Sequence, residues 1–396
     1  MFDVVYIHAG LPKTGSSYLQ NCFSALAENK KFKTIYYPKN ERYAAESGNG
    51  NGINIASHLI PSLFPAFDET EFEYDFAELL KGTESSVGNL LISSEDFFSA
   101  SIDRFECFKK RLLEVAKEIK LILVVRPLKA WTHSYYMQMV KRHAVSHELD
   151  EGWLNAFQQE VVEKFEAVDN FSVETLVLPY SDAGLLRSFL HCIGEDVELE
   201  REVPEGKENR SLTSGELKWL KMVNGVFQSE RLSGLLSDEF IRRSSLAPAA
   251  SFEGGSAVLY AEFSRSLLNG LDSFESKLMR DIKNILFSAE SEVNHLSPES
   301  TGSTDEILFE ITLLKIKSWL DEGGDLYHKV RDYAEASLQP TRSFFDPVHY
   351  LIMNEDVLRL GIDPWRHYLV NGKSEGRASA FVRHYRQLPG DQSRHS

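Results

Sequence analysis

Gly10-Leu11-Pro12-Lys13-Thr14-Gly15-Ser16-Ser17-Tyr18-Leu19-Gln20 joins an apolar run to an amphipathic one through a short polar loop. Upstream, Val4-Val5-Tyr6-Ile7 is short, rich in apolar and β-branched residues and bounded by Asp3 and Gly10, the pattern of a buried strand. Downstream, Tyr18, Leu19, Cys22, Phe23 and Leu26 recur at helical spacing, and Ser16 or Ser17 is placed to start the helix. A strand, a glycine-containing loop and a helix N-terminus together present backbone N–H groups and the positive end of a helix dipole to an anion. The spacing differs from the nucleoside-triphosphate loop G-x-x-x-x-G-K-[ST]. Here Gly10 and Gly15 are followed by Ser16-Ser17, and the lysine, Lys13, sits inside the loop. The plain alternative is an ordinary βα turn that contains a lysine.

Further strands are expected at Thr34–Pro38, at Asn89–Phe98, at Leu121–Pro127 and at Val173–Tyr180, with helices between and after them. That alternation argues for a parallel three-layer α/β sheet. The Leu121–Pro127 strand ends in Arg126, directly before a proline that breaks the ladder, and Ser134 follows eight residues later on an expected helix. A guanidinium fork at a sheet edge suits a phosphate. It suits a strand-end ion pair equally.

Pro12 to Ser17 resemble, position for position, the 5′-phosphosulfate loop P-K-[TS]-G-[TS]-[TS] of the sulfotransferases that use 3′-phosphoadenosine 5′-phosphosulfate (PAPS). Arg126 and Ser134 match that family's 3′-phosphate segment, a strand-terminal arginine with a serine eight residues on. The resemblance covers roughly the first half of the chain. It implies the P-loop-like sulfotransferase fold, with Pro12, Lys13, Thr14, Gly15, Ser16, Ser17, Arg126 and Ser134 holding the cofactor and adenosine 3′,5′-bisphosphate as product. A late basic loop closes over the 3′-phosphate in this family, and Lys207, Asn209, Arg210 and Ser211 look like its counterpart, although the familiar Arg-Lys-Gly form is absent. A solvated helix cap accounts for the same four residues.

Sulfuryl transfer to an alcohol requires a group that takes the hydroxyl proton. Glu95 sits at the C-terminal end of an expected strand, the edge where ligands lie in open α/β sheets. It reads equally as a general base or, with Asp96, as the cap of a helix beginning near Ser99. Asn54 and His58 follow the turn-rich stretch Ser47–Gly52 at helical spacing and face either an acceptor or solvent. Trp131, Tyr135, Tyr136 and Met139 form a helical stripe of core type, whose aromatics also suit stacking on a ligand.

With 396 residues the chain exceeds the roughly 150 expected of one domain. We expect a sulfotransferase domain over 1–290, a Ser/Glu/Pro/Gly-rich linker over 291–305, a helical C-terminal extension over 306–380 and a tail over 381–396. Within the extension, Phe345-Asp346-Pro347 through Glu375-Gly376-Arg377 resembles a short module of bacterial glycan-assembling enzymes. The net charge of −16 disfavours nucleic acid as a partner, so any anion site must be locally basic. Residues 106–143 meet that need, with nine Lys or Arg against three Glu. No apolar run approaches the roughly 18 residues of a membrane span, and the first strand begins at once, so a cytoplasmic protein is expected. Cys22, Cys107 and Cys192 are isolated and suggest neither a disulfide framework nor a zinc site.

The expectation is therefore a metal-independent PAPS-dependent sulfotransferase acting on a hydroxyl, with a carbohydrate as the acceptor class. Lys13 would stabilise the leaving phosphate and Glu95 would act as base. The rivals are a P-loop kinase holding magnesium through Ser16 and Asp96, against which the lysine position speaks, and a non-catalytic glycan-binding protein with a degenerate cleft.

Overall fold

A computed structural model describes residues 1–39, 50–82, 88–181, 184–203, 212–243, 257–288, 309, 311–318, 325–337 and 345–378. The elements run β1 (Phe2–Gly10), α1 (Ser16–Glu28), β2 (Ile35–Tyr36), α2 (Ile53–His58), α3 (Glu69–Leu79) and β3 (Asn89–Ser93). A 3₁₀ turn, Glu95–Ser99, leads to α4 (Ile102–Val115), β4 (Ala116–Val125), α5 (Leu128–Arg142), α6 (Glu151–Asp169), β5 (Glu174–Pro179) and α7 (Leu185–Cys192). Then follow α8 (Ser214–Phe227), α9 (Glu230–Arg243), α10 (Ala257–Leu271) and α11 (Lys277–Leu286).

The chain groups into two units. The first comprises Met1–Ser134, Glu151–Lys207 and Ser256–Leu296; the second comprises Tyr135–Asp150, Glu208–Gly255 and Ser297–Ser396. Two inner segments, Tyr135–Asp150 and Glu208–Gly255, thus group with the C-terminal stretch.

The first unit is built on a five-stranded, all-parallel sheet in the order β2-β3-β1-β4-β5. The α/β class expected from the alternation is what the chain adopts. Successive residues of the central strands point to opposite faces, and both sets are buried. On one face Tyr6, Leu91, Ile122 and Val124 pack with Leu19 and Phe23 of α1 and Phe189 of α7. On the other, Val5, Ile7, Leu90, Ile92, Leu121 and Leu123 are buried as well. Phenylalanines fill out this unit: Phe105 stacks on Phe171 with centroids 3.9 Å apart, and Phe97 stacks on Phe108 at 5.6 Å.

Strand lengths differ from expectation for identifiable reasons. β4 begins at Ala116, earlier than its apolar run, because β1 pairs with it from Phe2 onward. Its polar first half is held by Lys120, which ion-pairs with Glu118 and with Glu174 of β5 at 3.5 and 3.0 Å. β2, paired with β3, is only two residues long, and at its start the buried Glu195 carboxylate accepts from the backbone N–H groups of Lys33, Thr34 and Ile35. Beyond β2, Asn51 completes the open edge of β3: its Nδ2 donates to the Leu91 carbonyl at 3.0 Å and its Oδ1 accepts from Ser93 N–H at 2.7 Å. Gly50 lies so close to this edge that a Cβ there would overlap the Ser93 carbonyl.

In the second unit α8 opens with a capping box, Thr213 and Glu216 each accepting from the other's backbone N–H. The Phe345–Arg377 stretch forms short helices at Pro347–Met353, Glu355–Arg359 and Pro364–His367 and a π-helical turn at Tyr368–Gly372. Asp346 caps the first of these through His349 N–H at 2.9 Å, and the Phe345, Tyr350, Trp365 and Tyr368 rings pack together. Among the described residues no helix is long and apolar enough to cross a membrane.

Candidate anion-binding site

The chain leaves β1 towards β2 and leaves its neighbour β4 in the opposite direction, towards β5. In an open α/β sheet ligands lie in the crevice at such a switch point, outside the carboxyl ends of the strands. The β1–α1 loop and Arg126 sit at that edge.

The loop is shaped by two left-handed residues, Lys13 at φ 67° and Gly15 at φ 85°. Gly15 accepts this conformation without steric cost, whereas Lys13 is a strained non-glycine residue of the kind that accumulates at functional sites. A Cβ on Gly15 would also lie 2.6 Å from Leu185. Three consecutive loop carbonyls are held by side-chain donors. Thr14 Oγ1 donates to the Leu11 carbonyl at 2.6 Å, Trp131 Nε1 to the Pro12 carbonyl at 2.8 Å and Arg126 Nη1 to the Lys13 carbonyl at 3.2 Å. Carbonyl and N–H point in opposite directions across a trans peptide plane. Pinning the Pro12 and Lys13 carbonyls therefore turns the Lys13 and Thr14 N–H groups the other way, and Pro12 has no N–H to turn. α1 follows directly, with no capping side chain at Gly15 and no acidic residue in its first turn, so nothing on the helix itself offsets its positive end.

The side chains around the loop are placed by the sheet. Ser16 is buried, and Ser17 is exposed at the helix start. The Arg126 guanidinium lies over the Tyr180 ring, 4.5 Å from its centroid. Ser134 is half-buried two turns into α5, and among the described residues it makes no hydrogen bond with Arg126 or the loop. Its neighbour His133 is pushed down to about 4 by burial and then by the Arg126 charge. The structure thus brings Pro12, Lys13, Thr14, Gly15, Ser16 and Arg126 together and leaves Ser134 without a demonstrated contact. Lys207, Asn209, Arg210 and Ser211 lie outside the described residues.

Glu95 is accessible to solvent, yet enough protein surrounds it that desolvation raises its carboxyl above the ordinary carboxylate range; the Asp96 charge adds to this, while the Lys13 cation and the Ser16 hydroxyl oppose it. An accessible acid whose carboxyl is raised although a lysine charge acts on it is a candidate functional group. The cap of the 3₁₀ turn is Ser94, whose hydroxyl accepts from Asp96 N–H at 3.2 Å, and Ser101 precedes α4. Capping therefore does not account for Glu95. His58, by contrast, is buried, hydrogen-bonded to Asp75 at 3.0 Å and stacked on Phe64, so it belongs to the packing of α2 on α3. Trp131 and Tyr136 are core residues.

Sequence reasoning missed His8. It is fully buried at the end of β1, its Nδ1 lies 2.8 Å from Ser93 Oγ, and among the described residues its Nε2 has no hydrogen-bond partner. The available signal was a histidine interrupting an apolar strand two residues before the loop glycine. Ser16 Oγ likewise has no partner of full hydrogen-bond geometry, although it is close enough to Glu95 to favour the carboxylate. Both atoms converge on Gly10: a Cβ there would collide with Ser16 Oγ and approach Thr14 Oγ1 and His8 Nε2 at 3.2 and 3.3 Å. Two under-satisfied buried polar atoms beside a loop whose Lys13 and Thr14 N–H groups are turned away from the donors on its carbonyls fit a site whose hydrogen bonds are completed by an anion. No protein-family model matches the chain, and comparison with curated proteins and with solved structures gives no match either.

Proposed function

We propose that the chain is a sulfotransferase of the P-loop-like type, which binds PAPS at the β1–α1 loop and transfers its sulfuryl group to a hydroxyl acceptor. The observation that carries the reading is the convergence of two separated motifs on one loop: Arg126, 113 residues away in sequence, holds the Lys13 carbonyl. The same six-residue stretch and the same arginine carry the sequence resemblance.

In this reading the loop N–H groups, the α1 N-terminus and Lys13 hold the 5′-phosphosulfate, and Arg126 reaches the 3′-phosphate. The nucleotide supplies the sulfuryl group. Lys13, with the oriented amides, stabilises charge that develops on the departing phosphate oxygen, a preorganised electrostatic effect that needs no movement at the moment of reaction. Glu95 accepts the acceptor's proton, and its raised carboxyl brings its basicity nearer to that task. A carbohydrate acceptor rests on the likeness of the Phe345–Arg377 module to part of glycan-assembling enzymes.

Calorimetry with adenosine 3′,5′-bisphosphate against ATP and magnesium tests the proposal. Micromolar binding of the bisphosphate and weak binding of ATP are expected, and the reverse order would favour a kinase. Turnover of PAPS with carbohydrate acceptors then separates an enzyme from a non-catalytic glycan binder.

A further inference from the structure

Among the described residues, His8 Nε2 is a buried polar atom beside the loop to which the proposed chemistry gives no purpose. The ring sits edge-on to Phe189 and Phe23, with centroids 5.2 and 6.3 Å away, in surroundings that keep the imidazole neutral. A neutral imidazole has one donor and one acceptor nitrogen, and the partner of one fixes the other. Ser93 Oγ, buried at the end of β3, lies 2.8 Å from Nδ1, and the arrangement that satisfies its hydroxyl proton has it donate to Nδ1. That assignment puts the ring proton on Nε2, which faces the Gly10 position shared with Ser16 Oγ and Thr14 Oγ1. Thr14's own proton is committed to the Leu11 carbonyl. The oxygen available to receive Nε2–H and still pass a proton onward is that of Ser16.

We infer that His8 is a positioning residue of the anion site: with an anion bound, its Nε2–H is donated to Ser16 Oγ, so that the Ser16 hydroxyl directs its own proton at the anion. The chain Ser93 O–H to His8 Nδ1, His8 Nε2–H to Ser16 Oγ, and Ser16 O–H to the anion satisfies every donor in one direction, and successive bonds of this kind polarise one another. Without the anion, the Ser16 hydroxyl is left near Glu95, so occupation of the cradle and the hydrogen bonding of Glu95 are linked through one serine. The inference rests on the anion-site reading above and adds to it a residue beneath the loop.

The test uses the full chain labelled with ¹⁵N at its histidines, His8 being assigned by its loss from the spectrum of His8→Gln. Long-range ¹H–¹⁵N spectra without ligand are expected to show the Nε2–H tautomer; an Nδ1–H tautomer overturns the proposal. Titration with adenosine 3′,5′-bisphosphate, and separately with inorganic phosphate, should shift Nε2 more than Nδ1. Response to phosphate without any nucleotide binding would sink the nucleotide reading and leave the role of His8 standing; silence of Nε2 towards both anions overturns it. In affinity measurements Ser16→Ala and His8→Leu should each weaken bisphosphate binding about tenfold, and the double variant should be no weaker than either single one. Additive losses would mean that His8 acts independently of Ser16. His8→Gln, which keeps an N–H donor, should recover most of the affinity, and this comparison with the wild-type spectra decides the matter if His8→Leu does not fold.

Discussion

Arg126 Nη1 donates to the Lys13 carbonyl at 3.2 Å, and the same guanidinium lies 4.5 Å from the centroid of Tyr180. The arginine therefore has a part in shaping the loop before any ligand arrives, in addition to the charge it offers at the sheet edge. Arg126→Ala should weaken binding of every nucleotide that uses the loop, and should weaken the 3′-phosphorylated one about tenfold more than its 3′-dephospho analogue. Calorimetry on both ligands measures the difference. Equal losses would leave Arg126 with the loop-shaping role alone.

Lys13 is expected to act on charge that grows during the reaction, not on charge already present in the ground state. Lys13→Ala should then lower kcat by two orders of magnitude or more, of the size seen when one oxyanion donor is removed, while bisphosphate affinity falls by less than tenfold. The left-handed backbone at Lys13 favours Lys13→Gly as a control, because glycine removes the same cation without strain. An unchanged kcat in both variants would take Lys13 out of the mechanism.

Much of this arrangement was legible in the chain because it rests on local patterns. The β1–loop–α1 unit, the β4 strand that stops just before Arg126 and the β3 strand, although it ends at Ser93 and gives way to a 3₁₀ turn where the pattern suggested strand to Phe98, each announce themselves by periodicity and punctuation. What was not legible depends on partners distant in sequence. Glu195 holds the start of β2 across some 160 residues, Asn51 seals β3, and Trp131, which reads as core, also holds the Pro12 carbonyl. His58 showed the limit of spacing arguments, since its partner Asp75 lies on the next helix and removes it from any site.

Asn51 offers a direct check of the sheet edge. Asn51→Ala leaves the Ser93 N–H and the Leu91 carbonyl buried without partners, at a cost of about 1–3 kcal/mol each. Urea denaturation should show a lower midpoint with an unchanged slope. Ser93 also carries the His8 contact, so the variant should lose anion affinity too.

Acid should destabilise the protein through its buried histidines. His8 is pushed down to about 3 by burial, and His133 to about 4, so both stay neutral in the folded chain where the unfolded chain, near 6.5, takes up protons. The unfolded state then binds more protons, and stability falls as pH drops below about 6.5, each histidine contributing up to about 1.4 kcal/mol per pH unit. Between pH 7 and pH 4 the melting temperature should fall less steeply for His8→Gln than for the wild type. Parallel curves would mean that His8 is already protonated in the folded chain.

Glu95 provides the last test, because its environment makes stability and rate respond in opposite directions. Burial and Asp96 raise its carboxyl, so the charged form is held at a cost, and Glu95→Gln should leave the melting temperature at neutral pH unchanged or higher. Were it a helix cap, the same substitution would lower it. As the base, Glu95→Gln should reduce single-turnover rates by roughly 10²–10⁴ while bisphosphate affinity is kept. In the wild type the rate should rise with pH as the carboxylate forms, through an apparent pKa above the ordinary carboxylate range, and that limb should vanish in the variant. A variant that keeps both its rate and its acid limb would place the base elsewhere. His58 is committed to Asp75, so His133, beside Arg126, would then be the residue to replace next.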